Sequence, residues 1–266
     1  YKVEIIYEDY LMAVEKSGAP DPMHQFDIVE IVDIELFGLN LSFTNSSLFM
    51  VASVALIIFL TLFAFNGRAT VPTRLQSIAE LSYEFVAKMV RDNIGDEGQR
   101  YFPFIFSLFM FVLFCNMLGM IPYTFTVTSH IIVTFALAIV IFFGVTIIGF
   151  IVHGIKYFNF FVPKGVPKAL LPLLVIIEVI SYLTRPVSLS VRLFANMMAG
   201  HTMLKVFGFF VAGMFFSGNI FIAPLGIAPL AFIVAFTGLE ILVAFLQAYV
   251  FAILTCIYLN DAIHMH

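Results

Sequence analysis

Charge is what this 266-residue chain has least of. Asp, Glu, Lys and Arg together make up 11 % of it, against about 25 % in ordinary soluble domains. Apolar residues reach 62 %, against roughly 45–50 %. A water-soluble fold of this size would have too few polar side chains to cover its surface, so that class is excluded. Tryptophan is absent, while Phe (33) and Met (12) are plentiful, which carries little functional information. There are two cysteines, Cys115 and Cys256, both inside apolar runs and without metal or redox spacing; they are expected to be buried packing thiols. No phosphate loop, HExxH or Ser–His–Asp pattern occurs, so neither catalysis nor nucleotide binding by this chain alone is expected. No metal, cofactor or nucleic-acid site is expected either. The front end carries no charged-then-apolar signal. It opens on Tyr1, for which a removed presequence or an edited chain is expected, with Met23 as an alternative start.

Long apolar runs are what the chain has instead. About 20 apolar residues cross a bilayer core of about 30 Å. Residues 47–65, 101–122 and 131–153 meet that requirement and are expected to be three transmembrane helices. Residues 71–91 differ: Leu75, Ile78, Phe85, Val86 and Met89 recur at helical spacing, with Arg74, Glu80, Glu84 and Lys88 on other faces. This pattern predicts an amphipathic helix lying along the membrane surface. Residues 168–216 and 220–263 are each more than 40 residues of apolar pattern, roughly 60 Å as a helix, about twice the bilayer. Two long tilted helices packed as a hairpin are expected; the alternative is a pair of separate spans in each stretch. The fold class is therefore an all-α membrane protein, with an N-terminal outside segment (1–46, partly acidic) followed by one membrane domain (47–266).

Lys and Arg counts orient it. The loop 66–100 carries Arg68, Arg74, Lys88, Arg91 and Arg100, and 154–168 carries Lys156, Lys164 and Lys168, whereas 123–130 and 212–220 carry none. The basic loops and the C-terminus are expected inside. The N-terminus, where nine of the seventeen acids lie before residue 36, is expected outside.

An arginine at the centre of a membrane helix costs about 2.5–3.5 kcal/mol on insertion scales, and Arg192 sits there. At about 100° per residue, Ser181, Arg185, Ser188, Glu178 and Asn196 fall within about 40° of it, whereas His201 falls about 180° away with Lys205 near it. The polar stripe thus changes sides beyond Asn196, as two offset half-paths meeting near Arg192 would require. On the second long helix Glu240 and Gln247 are seven apart, hence on one face. If the hairpin folds near residues 220–221, counting back along both arms sets His201 opposite Glu240. The same count sets Arg192 opposite roughly residue 249, close to Gln247. A His–Glu pair can pass protons; Arg192 cannot, because its pKa above about 12 keeps it a fixed cation.

Each residue also has a plainer reading. Arg192 can be a structural arginine paired with a buried carboxylate, Glu178 a cap at the inner water interface, and His201 with Glu240 an inert buried pair. Lys205 and Arg185 are expected to snorkel to the interfaces. His130 and His153, at opposite ends of one span, are expected to be interfacial. Asn116 is either a packing amide or a channel residue.

Three stretches carry a family resemblance: Ser188-Leu-Ser-Val-Arg-Leu-Phe-Ala-Asn-Met-Met-Ala-Gly-His201, Leu246 to Asn260, and Asn116-Met-Leu-Gly-Met-Ile-Pro-Tyr-Thr-Phe125. Thr44-Asn-Ser-Ser-Leu-Phe-Met50 fits as well. From about residue 24 to its end the chain resembles subunit a of the F-type ATP synthase. The resemblance implies a proton-translocating stator lying against a ring of c subunits, held by peripheral-stalk b-type subunits in a lipid bilayer. It implies that Arg192 keeps the passing c-ring carboxylate ionised and separates two half-channels. It further implies that Asn196, His201, Glu240 and Gln247 line the outer half-channel, and that Glu178 lies near the inner exit. Two departures stand out. Many bacterial members have an acid at 201 and a histidine at 240, exchanged here as in mitochondrial and related alphaproteobacterial forms. A family acid is also missing around Gly119–Thr126. Proton rather than sodium use is likewise implied by the resemblance.

The missing initiator Met and the exchange together favour a mitochondrial inner membrane location, with an alphaproteobacterial inner membrane as the alternative and the C-terminus expected on the matrix or cytoplasmic side. The runner-up function is a self-contained secondary transporter, but the internal repeats such folds carry are not found. A haem protein would need facing histidine pairs, which the spacing of His130, His153 and His201 does not provide.

Overall fold

The computed structural model describes residues 24–33, 35–36, 39–40, 42–65, 73–121, 124–162, 170–216 and 223–264. The roles expected of residues 1–22, Met23, Arg68, Lys164, Lys168 and the 220–221 fold of the hairpin lie outside the described residues.

Six helices carry the fold: α1 (Asn45–Phe65), α2 (Arg74–Ile94), α3 (Phe102–Gly119), α4 (Ile131–His153), α5 (Leu171–Phe215) and α6 (Ile227–Ile263). All but α2 are long and apolar enough to cross a membrane. Short antiparallel strands precede them: β1 (Glu30–Val32) pairs with β4 (Phe43–Thr44), and β2 (Glu35–Leu36) with β3 (Leu39–Asn40). The chain is an all-α membrane protein, as the hydrophobic runs predict.

Local chemistry sets several boundaries. The Thr73 hydroxyl accepts from the Gln76 N–H at 3.4 Å and starts α2, satisfying one of the donors a helix leaves free at its N-terminus. Gly95, at φ +84°, ends α2, and its N–H donates to the Arg91 carbonyl at 3.0 Å. Only glycine takes that left-handed backbone readily. Gly154 (φ +59°) ends α4 in the same way. The last long stretch begins with a short 3₁₀ turn, Ala223–Gly226, before α6.

The alternative of two spans per long stretch is not what forms. Helix α5 is a single helix of 45 residues and α6 one of 37, about 68 and 55 Å long at 1.5 Å per residue. Pro186 lies inside α5 without ending it. Having no N–H, it leaves the Tyr182 carbonyl one turn back without its backbone donor.

Helix α6 is the hub. It packs against α3, α4 and α5, and α2 lies against it as well. Its inner ridge reads Ala244, Ala248, Ala252 and Cys256, each fully enclosed. Lipid tails are as apolar as leucine, so helices in a bilayer associate through close packing rather than through hydrophobic exclusion, and small residues permit that approach. Phe109, Leu193, Met197, Phe251 and Ile141 fill the spaces around the ridge. On α2 the expected apolar face divides. Val86 and Met89 are buried, whereas Leu75, Ile78 and Phe85 remain exposed; Phe85 still touches the rings of Phe245 and Tyr249 along one edge. Cys115 and Cys256 are buried free thiols, as expected.

Candidate functional site

Helix α5 turns two faces to different surroundings. Leu189, Leu193 and Met197 point into the bundle, while Ser181, Thr184, Ser188, Arg192 and Asn196 share the face that the other described residues leave uncovered. No described residue forms a hydrogen bond or ion pair with Arg192. Its plainer reading, a buried arginine matched by an internal acid, is therefore not what is found. The arginine that has such a partner is Arg185, whose guanidinium lies 3.2 Å from the Asp261 carboxylate, near the end of α6. The rings of Tyr258, Tyr182 and Phe160 stand 5.0, 5.3 and 5.8 Å from its guanidinium carbon. The acid and the ring faces hold the Arg185 cation against the protein.

Two and a half turns beyond Arg192 the polar groups do move to the other side. His201 faces α6, with Nδ1 3.7 Å from Glu240 Oε1, where counting back from the hairpin turn puts it. Glu240 is 3 % exposed, and neither of its oxygens accepts a hydrogen bond from a described residue. Its carboxylate fits there because residue 200 is glycine: a Cβ at that position would lie 2.5 Å from Oε1. Across the ring from Glu240, Thr126 Oγ1 lies 3.2 Å from His201 Nε2. Thr126 stands in the turn joining α3 and α4, where the missing family acid was sought. Gly119 makes room for it, since a Cβ there would come within 2.7 Å of the threonine methyl.

The remaining expected residues stand further off. Glu178 and Gln247 are half-buried, and Asn196 is exposed beside Arg192. Asn116 is a packing amide, donating through Nδ2 to the Ala244 carbonyl at 3.1 Å. His130 caps the start of α4, stacked on Phe125 with ring centroids 4.9 Å apart. Burial there holds its imidazole below the usual 6.5. His153, at the other end of α4, donates through Nε2 to the Ile263 carbonyl oxygen at 2.9 Å. A carbonyl only accepts, so Nε2 carries the proton.

Thr126, Gly119, Gly200 and Asp261 were not among the expected residues. Asp261 alone had a signal, an acid closing an otherwise apolar helix; Thr126 lies in an irregular turn where periodicity gives no phase. A hydroxyl chain also emerged: Tyr182 bonds Thr146 at 2.6 Å and Tyr157 at 3.1 Å, beside the Arg185–Asp261 pair. Among the described residues no three His, Cys, Asp or Glu side chains gather as a metal site would require.

A family model for the ATP synthase A chain matches residues 47–260, which include Thr126, Arg192, His201 and Glu240. The chain belongs to the ATP synthase A chain family. It is similar to ATP synthase subunit a of Pelagibacter ubique (strain HTCC1062), with 61 % identity over 249 residues, 93 % of this chain and 99 % of that one. Similarity to ATP synthase subunit a of Chelativorans sp. (strain BNC1) is 59 % over 246 residues, covering 92 % and 98 %. For that of Agrobacterium fabrum it is 58 % over 246 residues, with the same coverage. As a member of the ATP synthase A chain family the chain is a proton-translocating membrane subunit of the Fo sector, working with other subunits and not a catalyst by itself. These relatives are bacterial, so the mitochondrial location expected from the His201/Glu240 exchange finds no support in them.

Proposed function

We propose that the chain is the stator half of a rotary proton path, with two offset half-channels that meet only through a carboxylate on a passing c subunit. The observation that carries this reading is Arg192, a cation on a membrane helix, exposed on a face that the other described residues do not cover and given no acid by any of them. A charge so placed is costly unless a counter-charge arrives from outside the chain. A ring carboxylate supplies it, and the fixed cation keeps that carboxylate ionised until it has moved on.

The other residues divide on either side of this barrier. The enclosed His201–Glu240 pair, with Asn196 and Gln247 further along the same two helices, serves the outer half-channel. Glu178, further back along α5, serves the inner exit. In this reading the basic connections and the C-terminus face the cytoplasm of a bacterium, peripheral-stalk b-type subunits hold the chain in place, and the ion is the proton. The reading is tested by Arg192→Ala and Arg192→Lys in the reconstituted complex. Proton-driven ATP synthesis is expected to fall to background in both. Normal coupled synthesis in either variant refutes the assignment of Arg192.

A further inference from the structure

We propose that Thr126 sets the tautomer of His201, so that the unprotonated Nδ1 of the neutral ring faces Glu240. The inference rests on the proton-path reading for its purpose, but not for its geometry.

The Thr126 hydroxyl has two neighbours: the carbonyl oxygen of Gly119 at 3.3 Å and Nε2 of His201 at 3.2 Å. A carbonyl oxygen only accepts, so for both contacts to be hydrogen bonds the hydroxyl proton must go to Gly119 and a lone pair of Oγ1 must face the ring. Nε2 must then be the donor. A neutral imidazole has one N–H, so Nδ1 carries none. That bare nitrogen is the atom placed 3.7 Å from Glu240 Oε1.

The positions are over-determined. The Thr126 carbonyl accepts from the Ser129 hydroxyl at 2.6 Å and from the Ser129 N–H at 3.2 Å, which pins the backbone that carries the hydroxyl. Gly119 and Gly200 lack a Cβ where Thr126 and Glu240 respectively sit. The remaining charge acting on the ring is Lys205, one turn further along α5. Among the described residues, the polar groups in contact with the ring are thus a hydroxyl from the α3–α4 turn and a carboxyl from α6.

The chemistry this permits is a reversible proton transfer. The O–H bond of protonated Glu240 breaks as an N–H bond forms at Nδ1, giving carboxylate and imidazolium; the reverse step restores both neutral groups. Transfer needs heavy atoms within about 2.6–3.2 Å, or one water between them, so the pair has roughly half an ångström or more to close. With the opposite tautomer Nδ1 already bears a proton and can only donate to Glu240, and the neutral ring is closed as an acceptor. Thr126 acts through His201 and is a positioning residue.

The test uses the whole ATP synthase complex in lipid, labelled with ¹⁵N-histidine, with His201 assigned by the signal lost in His201→Gln. In the unaltered complex the neutral ring is expected to be protonated at Nε2. A ring protonated at Nδ1 overturns the inference without recourse to any variant. Thr126→Val is expected to give a mixture of tautomers and about a tenfold loss of proton-driven ATP synthesis, whereas Thr126→Ser restores both. An unchanged tautomer in Thr126→Val, or failure of serine to restore it, refutes the role of the hydroxyl. Glu240→Gln separates the two ideas: normal ATP synthesis in that variant defeats the proton-path reading while leaving the tautomer result standing.

Discussion

Removing the Asp261 carboxylate charge with Asp261→Asn leaves Arg185 in a partly enclosed site facing three aromatic rings. The two side chains are 19 % and 27 % exposed and share one contact at 3.2 Å. A fully buried pair broken on one side costs about 3–5 kcal/mol, and a fully exposed one is worth about 0–1. With intermediate burial and a single charge-assisted hydrogen bond, the loss is about 2 kcal/mol. Arg185→Met removes the same bond and also three cation–π contacts, each worth about 0.5–1 kcal/mol at partly exposed sites, so it is the more damaging single change. The assay is the rate at which the chain leaves the detergent-solubilised complex on mild heating. If the contact is lost before the barrier, 2 kcal/mol raises that rate about thirtyfold. The double variant decides the matter, because the bond is already absent after either change. Its rate is expected to lie close to that of Arg185→Met rather than at the product of the two effects. Multiplicative effects, corresponding to a coupling energy under about 0.5 kcal/mol, refute the claim that these two groups hold each other.

Two other perturbations follow from the packing. Gly149→Ala drives a methyl group into the Tyr157 ring, an overpacking that costs about 1–3 kcal/mol; it is expected to lower the thermal midpoint of the complex, which a melting curve checks. His130 titrates below 6.5 in the folded chain because of burial, so the unfolded state binds the proton first as pH falls. The stabilisation from keeping this ring neutral is present above about 6.5 and is lost on acidification below it. The drop in thermal midpoint between pH 7 and 5 is therefore expected to be smaller in His130→Gln than in the unaltered chain.

The lengths of the two long helices were legible because apolar pattern persists past any candidate break; Pro186 removes one donor without ending α5. Counting along the hairpin placed His201 on Glu240, both of which lie closer to the connection than Arg185 and Asp261 do, so less error accumulates. Further away the same count fails. It sets Arg185 opposite residue 256, whereas its partner is Asp261, five residues on. Two helices that are not parallel drift in register with distance, and an arginine side chain reaches across more than one turn. On α2, periodicity found an apolar face but not what covers it: Val86 and Met89 go to the bundle, Leu75 and Ile78 do not. Thr126 could not be found this way at all. Its partners, Gly119 and His201, come from different helices, and an irregular turn has no period from which to read a direction.

The ridge of Ala244, Ala248, Ala252 and Cys256 has a mechanical meaning. Long side chains between two helices behave as soft springs, since each has several rotamers to yield into. Alanine has none. A sideways load on α6 therefore passes to its neighbours with little give from the ridge's own side chains, and the helix that carries Glu240 resists displacement like a beam laid against a wall.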